Sequence, residues 1–328
     1  TQRLDILFAQ QCTLLGGSQT TIAVAVPGKD TAPSTPHVTA PTMPEKLPLR
    51  EALRQSLSAF VVRRDQGKTV LAGFPWFLDW GRDTLICLRG LIAAGMVDDC
   101  RDIIQQFASF AEQGTIPNMI RGLDHSNRDT SDAPLWLFVA TSDLVSHPKG
   151  GEAILDLPCP SPSRPLRKVL NDIADYYWHG AANGIRADHD SALVYSPAHF
   201  TWMDTNFPAA TPRAGYPVEI QALWIFALEF LAAHGGDPLC AERAKLARRS
   251  LEQYFRRPDG RGLADCLHAP TPDTPASKAT PDDACRPNQL LAVTLGAVTD
   301  LRPVRDIIAA TRPLLTPAGI RSLDDALV

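Results

Sequence analysis

The chain has 328 residues, 45% of them hydrophobic and 21% charged, with a formal net charge of −4. That balance suits a packed globular fold and argues against disorder, and the slight acidity excludes a generally basic nucleic-acid binder. No apolar run approaches the roughly 20 residues that span a bilayer, and no basic stretch followed by an apolar one marks a signal peptide.

The first elements read from the pattern are strands. Leu4, Ile6 and Phe8 alternate, as do Ile22, Val24 and Val26, with Gly16-Gly17 between them. Period-two alternation predicts strands. Two strands alone are marginally stable, so residues 1–30 read as the tail of a larger sheet. Pro, Thr and Ser crowd the stretch from Pro27 to Pro48 without a helical period, and residues 31–48 are assigned as a linker.

From Leu49 the period becomes helical. The spacing predicts helices over 49–62, around Leu85–Ile92 before Gly95, and around Ile103–Ala111 with Gly114 as the C-terminal glycine. Others follow over 132–144 and 165–178, around Val218–Leu231 before Gly235-Gly236, and over 240–256, 286–297 and 303–312. Residues 49–328 therefore read as a mainly α domain of successive helical hairpins. Long loops rich in Pro, Gly and Asp join them, and such loops are where sites are usually built. No fixed period marks a solenoid.

Seven cysteines, Cys12, Cys87, Cys100, Cys159, Cys240, Cys266 and Cys285, are scattered without a Cys-x-x-Cys pair. They read as reduced thiols in a cytoplasm. His189 between Asp188 and Asp190 reads as a polar loop, since no further ligands accompany it. With no phosphate loop and no dinucleotide motif, the sequence predicts neither a metal nor a cofactor.

Five segments concentrate Trp, Asp, Arg and Asn: 73–84, 114–118, 129–136, 200–204 with 211–213, and 286–289. Trp76, Trp80, Trp136, Trp202 and Trp224 fall in or beside them. Aromatic faces beside carboxylates, guanidinium and amide groups suit a sugar, whose ring stacks and whose hydroxyls need paired donors and acceptors. Any single Trp also fits a core. Asp83, before an apolar stripe, also fits a helix N-cap, as does Asp132 with Pro134 in the next turn. Glu219, after Pro217, also fits a favourable charge at a helix start. Asp204 precedes Thr-Asn-Phe-Pro and no helical stripe, so capping explains it less well. Its neighbours Trp202 and Met203 suit partial desolvation, which favours the protonated form that a general acid needs.

These residues carry a resemblance. Phe60–Thr84, ending in Gly-Phe-Pro-Trp-Phe-Leu-Asp-Trp-Gly-Arg-Asp-Thr, resembles the opening of the amylo-α-1,6-glucosidase domain of glycogen debranching enzymes. The later Thr-Trp-Met-Asp, the Thr-Pro-Arg…Pro-Val-Glu-Ile-Gln-Ala-Leu-Trp run ending at Trp224, and Arg286-Pro-Asn-Gln-Leu-Leu-Ala follow in the family's order. Together they cover most of residues 49–323. The resemblance implies an (α/α)₆ toroid of the six-hairpin glycosidase type, preceded by remnants of a β-sandwich. It implies a branched α-glucan, glycogen or limit dextrin, as partner, with no nucleic acid, membrane or cofactor involved, and hydrolysis of α-1,6 linkages with inversion. Asp204 is placed like the general acid. Trp80, Arg82, Asp83, Asp132, Trp136, Trp202, Arg213, Glu219, Asn288 and Gln289 become the glucose-gripping set.

The sequence departs from the family twice. Arg128-Asp129 stands where a Tyr-Asn pair is usual, and the chain stops where the family continues past Leu323 through further helices. The toroid is therefore expected to be incomplete at its C-terminus, with the general base beyond Val328. Two rival readings stay open: a non-catalytic glucan-binding toroid, and a related toroidal α-glycosidase acting on another sugar.

Overall fold

The computed structural model describes residues 8–13, 19–24, 48–73, 77–160, 163–207 and 211–324. The chain divides into two compact units, Thr1–Ser56 and Leu57–Val328. In the first, Phe8–Thr13 and Gln19–Val24 pair antiparallel, with Phe8 opposite Val24 and Thr13 opposite Gln19. Leu4, Ile6, Gly16, Gly17, Val26 and the linker up to residue 47 lie outside the described residues.

Helix α1 (Leu49–Phe60) stops two residues short of its predicted end. The β-branched pair Val61-Val62 begins a strand, Val61–Arg64, which turns at Asp65 and pairs back with Gly67–Val70. The second unit then continues through α2 (Gly81–Ala93), α3 (Val97–Ser109), α4 (Ala133–Ser146), α5 (Leu166–His179), α6 (Val218–Ala233), α7 (Cys240–Phe255), α8 (Leu290–Thr294) and α9 (Leu301–Thr311). Helix α2 packs on α4, α4 on α6 and α6 on α8, while α3, α5, α7 and α9 lie against that inner row.

The composition of the helices accounts for these layers. Every residue of α4 from Ala133 to Thr141 is buried, and α6 is buried nearly throughout from Val218 to Leu231. A helix apolar all round has to be covered on every side. Helices α3 and α5 bury one stripe only: Cys100, Ile103, Ile104 and Phe107 in α3, and Val169, Leu170, Ile173 and Tyr177 in α5. The predicted helix over 286–297 shortens to α8, preceded by a 3₁₀ turn at Pro287–Gln289. Pro287 is tolerated at the start of that turn, where an N–H would have no helical partner, and Gly296, with φ of 74°, ends the segment.

Strands of two or three residues fix the loops leading into the inner helices. Asp79–Trp80 pairs with Met119–Ile120 just before α2. Gly215–Pro217 pairs with Cys266–His268 just before α6. These were not legible in the sequence because so short a pair leaves no alternation to read. The junction at α2 demands glycine. The Gly81 N–H donates to the Asn118 carbonyl at 2.9 Å, and a Cβ at Gly81 would sit 2.2 Å from the Pro117 oxygen.

Two alanine substitutions on one helix therefore have opposite signs. Gly81→Ala is expected to destabilise the fold by about 1–3 kcal/mol, the usual cost of overpacking. Gly90→Ala, where a Cβ meets nothing within 4 Å, is expected to stabilise it by about 0.5–1 kcal/mol through helix propensity. Urea unfolding of the two variants against wild type checks both; equal shifts would contradict the packing at Gly81.

Candidate active site

Arg82, in the first turn of α2, is 7% exposed. Its Nε donates to Asp132 Oδ2 at 2.6 Å and its Nη1 to Asp204 Oδ2 at 3.0 Å. Asp132 immediately precedes α4, yet it does not cap that helix. Thr130 Oγ1 accepts from the Ala133 N–H at 3.3 Å and donates to Asp132 Oδ1 at 2.7 Å. The Asp132 carboxylate is thereby left to Arg82. Burial on its own would lower the Arg82 pKa, but Asp132 and then Asp204 outweigh it and hold the guanidinium above its ordinary value. Arg82 Nη2 is buried and has no partner among the described residues.

Asp204 sits in the loop after Thr201, its side chain 32% exposed. A backbone contact holds that loop beside α4, the Ser131 N–H donating to the Phe200 carbonyl at 2.7 Å, and Tyr177 on α5 anchors Ser131 in turn, its Oη donating to the Ser131 carbonyl at 2.8 Å. Burial keeps the Tyr177 phenol well above its ordinary pKa, so it stays a donor.

A second ionic cluster lies deeper. Arg213, 1% exposed, donates from Nη1 to Glu219 Oε1 at 2.5 Å and from Nη2 to Glu219 Oε2 at 2.6 Å. Its Nε is 2.7 Å from Asp265 Oδ2, and Nη1 also reaches Thr201 Oγ1 at 3.1 Å. Burial opposes the charge on Arg213, but Glu219 and Asp265 together raise its pKa. Burial also holds Asp265 above the usual carboxylate range, with Arg213 opposing. From Asp265 a polar chain runs outward. Asn288 Nδ2 donates to Asp265 Oδ1 at 2.8 Å, and Trp202 Nε1 donates to Asn288 Oδ1 at 2.9 Å. Trp202 itself is 42% exposed.

The structure thus brings Arg82, Asp132 and Asp204 together, and separately joins Arg213, Glu219, Asn288 and Trp202. Asp83 is exposed in the first turn of α2 and caps nothing. Packing around its carboxyl raises its pKa, and Arg82 pulls the other way. Trp80 is half-buried, pairing by backbone with Met119. Trp136 is 6% exposed within the core. Gln289 accepts the Leu263 N–H at 2.9 Å and donates to the Arg286 carbonyl at 3.2 Å, so its amide is spent on the backbone. Trp76 lies outside the described residues. Sequence reasoning missed Asp265 and the hydroxyls of Thr130 and Thr201. Asp265 follows a turn at Pro258-Asp-Gly260, and the two residues on either side, Leu263-Ala264 and Cys266-Leu267, carry no aromatic ring or charge to single it out.

Glu219→Ala is expected to destabilise the protein by about 3–5 kcal/mol, because it strips a buried guanidinium of its bidentate partner. Denaturant unfolding measures this; a loss below about 1 kcal/mol would mean that water or Asp265 alone satisfies Arg213.

Comparison with known proteins identifies the family and the fold. The family model for amylo-alpha-1,6-glucosidase matches residues 55–327. The glycogen debranching enzyme of Saccharomyces cerevisiae is 26% identical over 347 aligned residues, covering 78% of this chain and 22% of that enzyme. The chain thus spans less than a quarter of that relative. Among solved structures, the neutral trehalase of Saccharomyces cerevisiae superposes with a TM-score of 0.54 at 12% identity, over 98% of this chain and 61% of that one. A GH78 family rhamnosidase of Bacillus sp. GL1 does so with a TM-score of 0.51 at 17% identity, over 73% of this chain and 23% of that one. Both likenesses concern the fold, a helical toroid of the six-hairpin glycosidase type. With the ordered motifs, the paired inner and outer helices and a model match across nearly the whole second unit, the chain belongs to the amylo-α-1,6-glucosidase family of glycoside hydrolases.

Proposed function

We propose that the protein hydrolyses α-1,6-linked glucose at the branch points of an α-glucan with inversion, and that Asp204 is the general acid. The observation that carries this is the setting of Asp204. It is a partly exposed carboxylate whose Oδ2 is held by a buried arginine that Asp132 orients in turn. Its Oδ1 makes no hydrogen bond to another described residue. A catalytic acid needs this combination of fixed position and open access.

In the proposed reaction Asp204 gives its proton to the 6-oxygen of the leaving chain as the C1–O6 bond breaks. Positive charge builds on the glucose ring. Water adds to C1 from the opposite face and yields its proton to a second carboxylate, typically about 6.5–9.5 Å from the acid in inverting enzymes. Arg82 holds the acid in place from a buried position, and the exposed Trp202 ring, steadied through Asn288, offers a stacking face. Arg213 and Glu219 act from behind, keeping Thr201 and the Trp202 loop in place. Residues 49–328 are read as the glucosidase domain and 1–30 as the tail of a β-sandwich. The six cysteines with described side chains are all free, which supports a reducing, cytoplasmic setting.

Asp204→Asn keeps size and hydrogen bonding but removes the transferable proton. In the intact protein it is expected to lower the rate of glucose release from a branched limit dextrin by about 10²–10⁴-fold while glucan binding persists. A variant retaining more than about a tenth of the rate would overturn the assignment. The glucose first released is expected to be the β-anomer, followed by NMR during early turnover; initial α-glucose would exclude inversion. Glucan binding by wild type without any glucose release would favour the non-catalytic reading.

A further inference from the structure

A cavity of about 790 Å³ opens elsewhere in the second unit. It shares no residue with the Arg82 or Arg213 clusters. Its walls include the Asp65-Gln66 turn, Phe110 and Gln113 after α3, His125 in the loop leading to α4, and Tyr176 near the end of α5. Its size lies within the range of small-molecule sites, roughly 300–1,000 Å³.

The chemistry of the walls narrows the ligand. Two arginines line the cavity, but neither guanidinium is free. Arg128 donates to the Thr115 carbonyl at 3.1 Å and the Phe110 carbonyl at 3.0 Å, and stands 3.7 Å from Glu112. Arg164 donates to the Ala111 carbonyl and pairs with Asp172 at 3.3 Å. With the cations already engaged and Asp65 and Glu112 adding negative charge, an anionic ligand is disfavoured. Aromatic surface and uncharged polar groups remain. The Phe110 and His125 rings sit 5.2 Å apart, inclined at 41°. Tyr176 is 38% exposed, its Cβ packed against Gly114, where a side chain would collide. Gln66 and Gln113 supply amide donors and acceptors. Flat apolar faces ringed by amides and carboxylates suit a neutral polyhydroxylated ring.

The position links this cavity to the catalytic cluster. The segment between α3 and α4 forms part of its wall through Phe110, His125 and Arg128, then reaches Asp132 four residues later. Arg128 is also where the sequence departs from the family's Tyr-Asn pair, and here it braces the wall by hydrogen-bonding two backbone carbonyls.

We propose that this cavity is a second α-glucan-binding site, holding one chain of the polymer while a branch is cut at Asp204. The proposal rests on the glucan reading above. Its test is retardation of the intact protein in native gels containing glycogen, alongside hydrolysis of α-glucosyl fluoride, a substrate small enough to occupy the catalytic pocket alone. Two variants are compared with wild type: Tyr176→Ala, and Asp65→Gly/Gln66→Ala on the exposed turn, which carries the test should Tyr176→Ala misfold. Loss of one stacked ring is expected to weaken glycogen binding by about tenfold, with hydrolysis of the fluoride within about twofold of wild type. Unchanged retardation in both variants overturns the second site, as does a wild type that glycogen does not retard. If wild type is retarded, both variants lose retardation and nothing is hydrolysed, the second site stands and the catalytic reading falls.

Discussion

The arrangement around Asp204 depends on one buried guanidinium. Arg82 is taken out of water at the start of α2, which is affordable only with opposite charge beside it. That charge comes from Asp132 and Asp204, 50 and 122 residues further along the chain. The requirement couples three segments, the first turns of α2 and α4 and the Thr-Trp-Met-Asp loop, into one unit. A side chain held by such an ion pair loses little of its freedom on binding a ligand, because most of it was given up on folding.

The Arg213 cluster repeats this logic in the layer beneath. One arginine satisfies two carboxylates from different elements, Glu219 at the start of α6 and Asp265 beside the Cys266–His268 strand. Asn288 then carries the constraint outward to Trp202. The two clusters thus meet in one loop: the first holds its aspartate and the second its tryptophan. Buried ion pairs of this kind contribute little net stability against an apolar core, but removing one partner is costly. Their role here is geometric.

Much of the polar and aromatic density in the motif segments is scaffold. Asp79 is bound by Arg64, whose Nη1 also reaches the Gly122 carbonyl at 2.9 Å. Gln221 on α6 brackets Val194, accepting its N–H at 2.7 Å and donating to its carbonyl at 2.9 Å, as a neighbouring strand would. Trp224 Nε1 donates to the Ala192 carbonyl at 3.0 Å. Loops without regular structure must pair their buried backbone groups somehow, and here side chains of an inner helix do it. A residue type suited to sugars is equally suited to tying down such loops.

The sequence by itself determined the helices, their order and the family. Apolar periodicity is a property of neighbours three and four residues apart, so it survives without tertiary context. It placed α2 to α7; that α6 is covered on every side while α3 and α5 bury one stripe only emerged in the fold. It also picked out Arg82, Asp132 and Asp204 as chemistry-bearing, by residue type and motif. What it could not decide was which of the chosen residues meet. Arg82, Asp132 and Asp204 converge only because the inner helices stack with their first turns together, and Asp265 enters only because a three-residue strand brings it beside α6. The fate of Trp136, Gln289 and Glu219, spent on core, backbone and the buried Arg213 in turn rather than facing solvent, was decided there too. Burial and partner choice depend on residues dozens of positions away, and no local pattern records them.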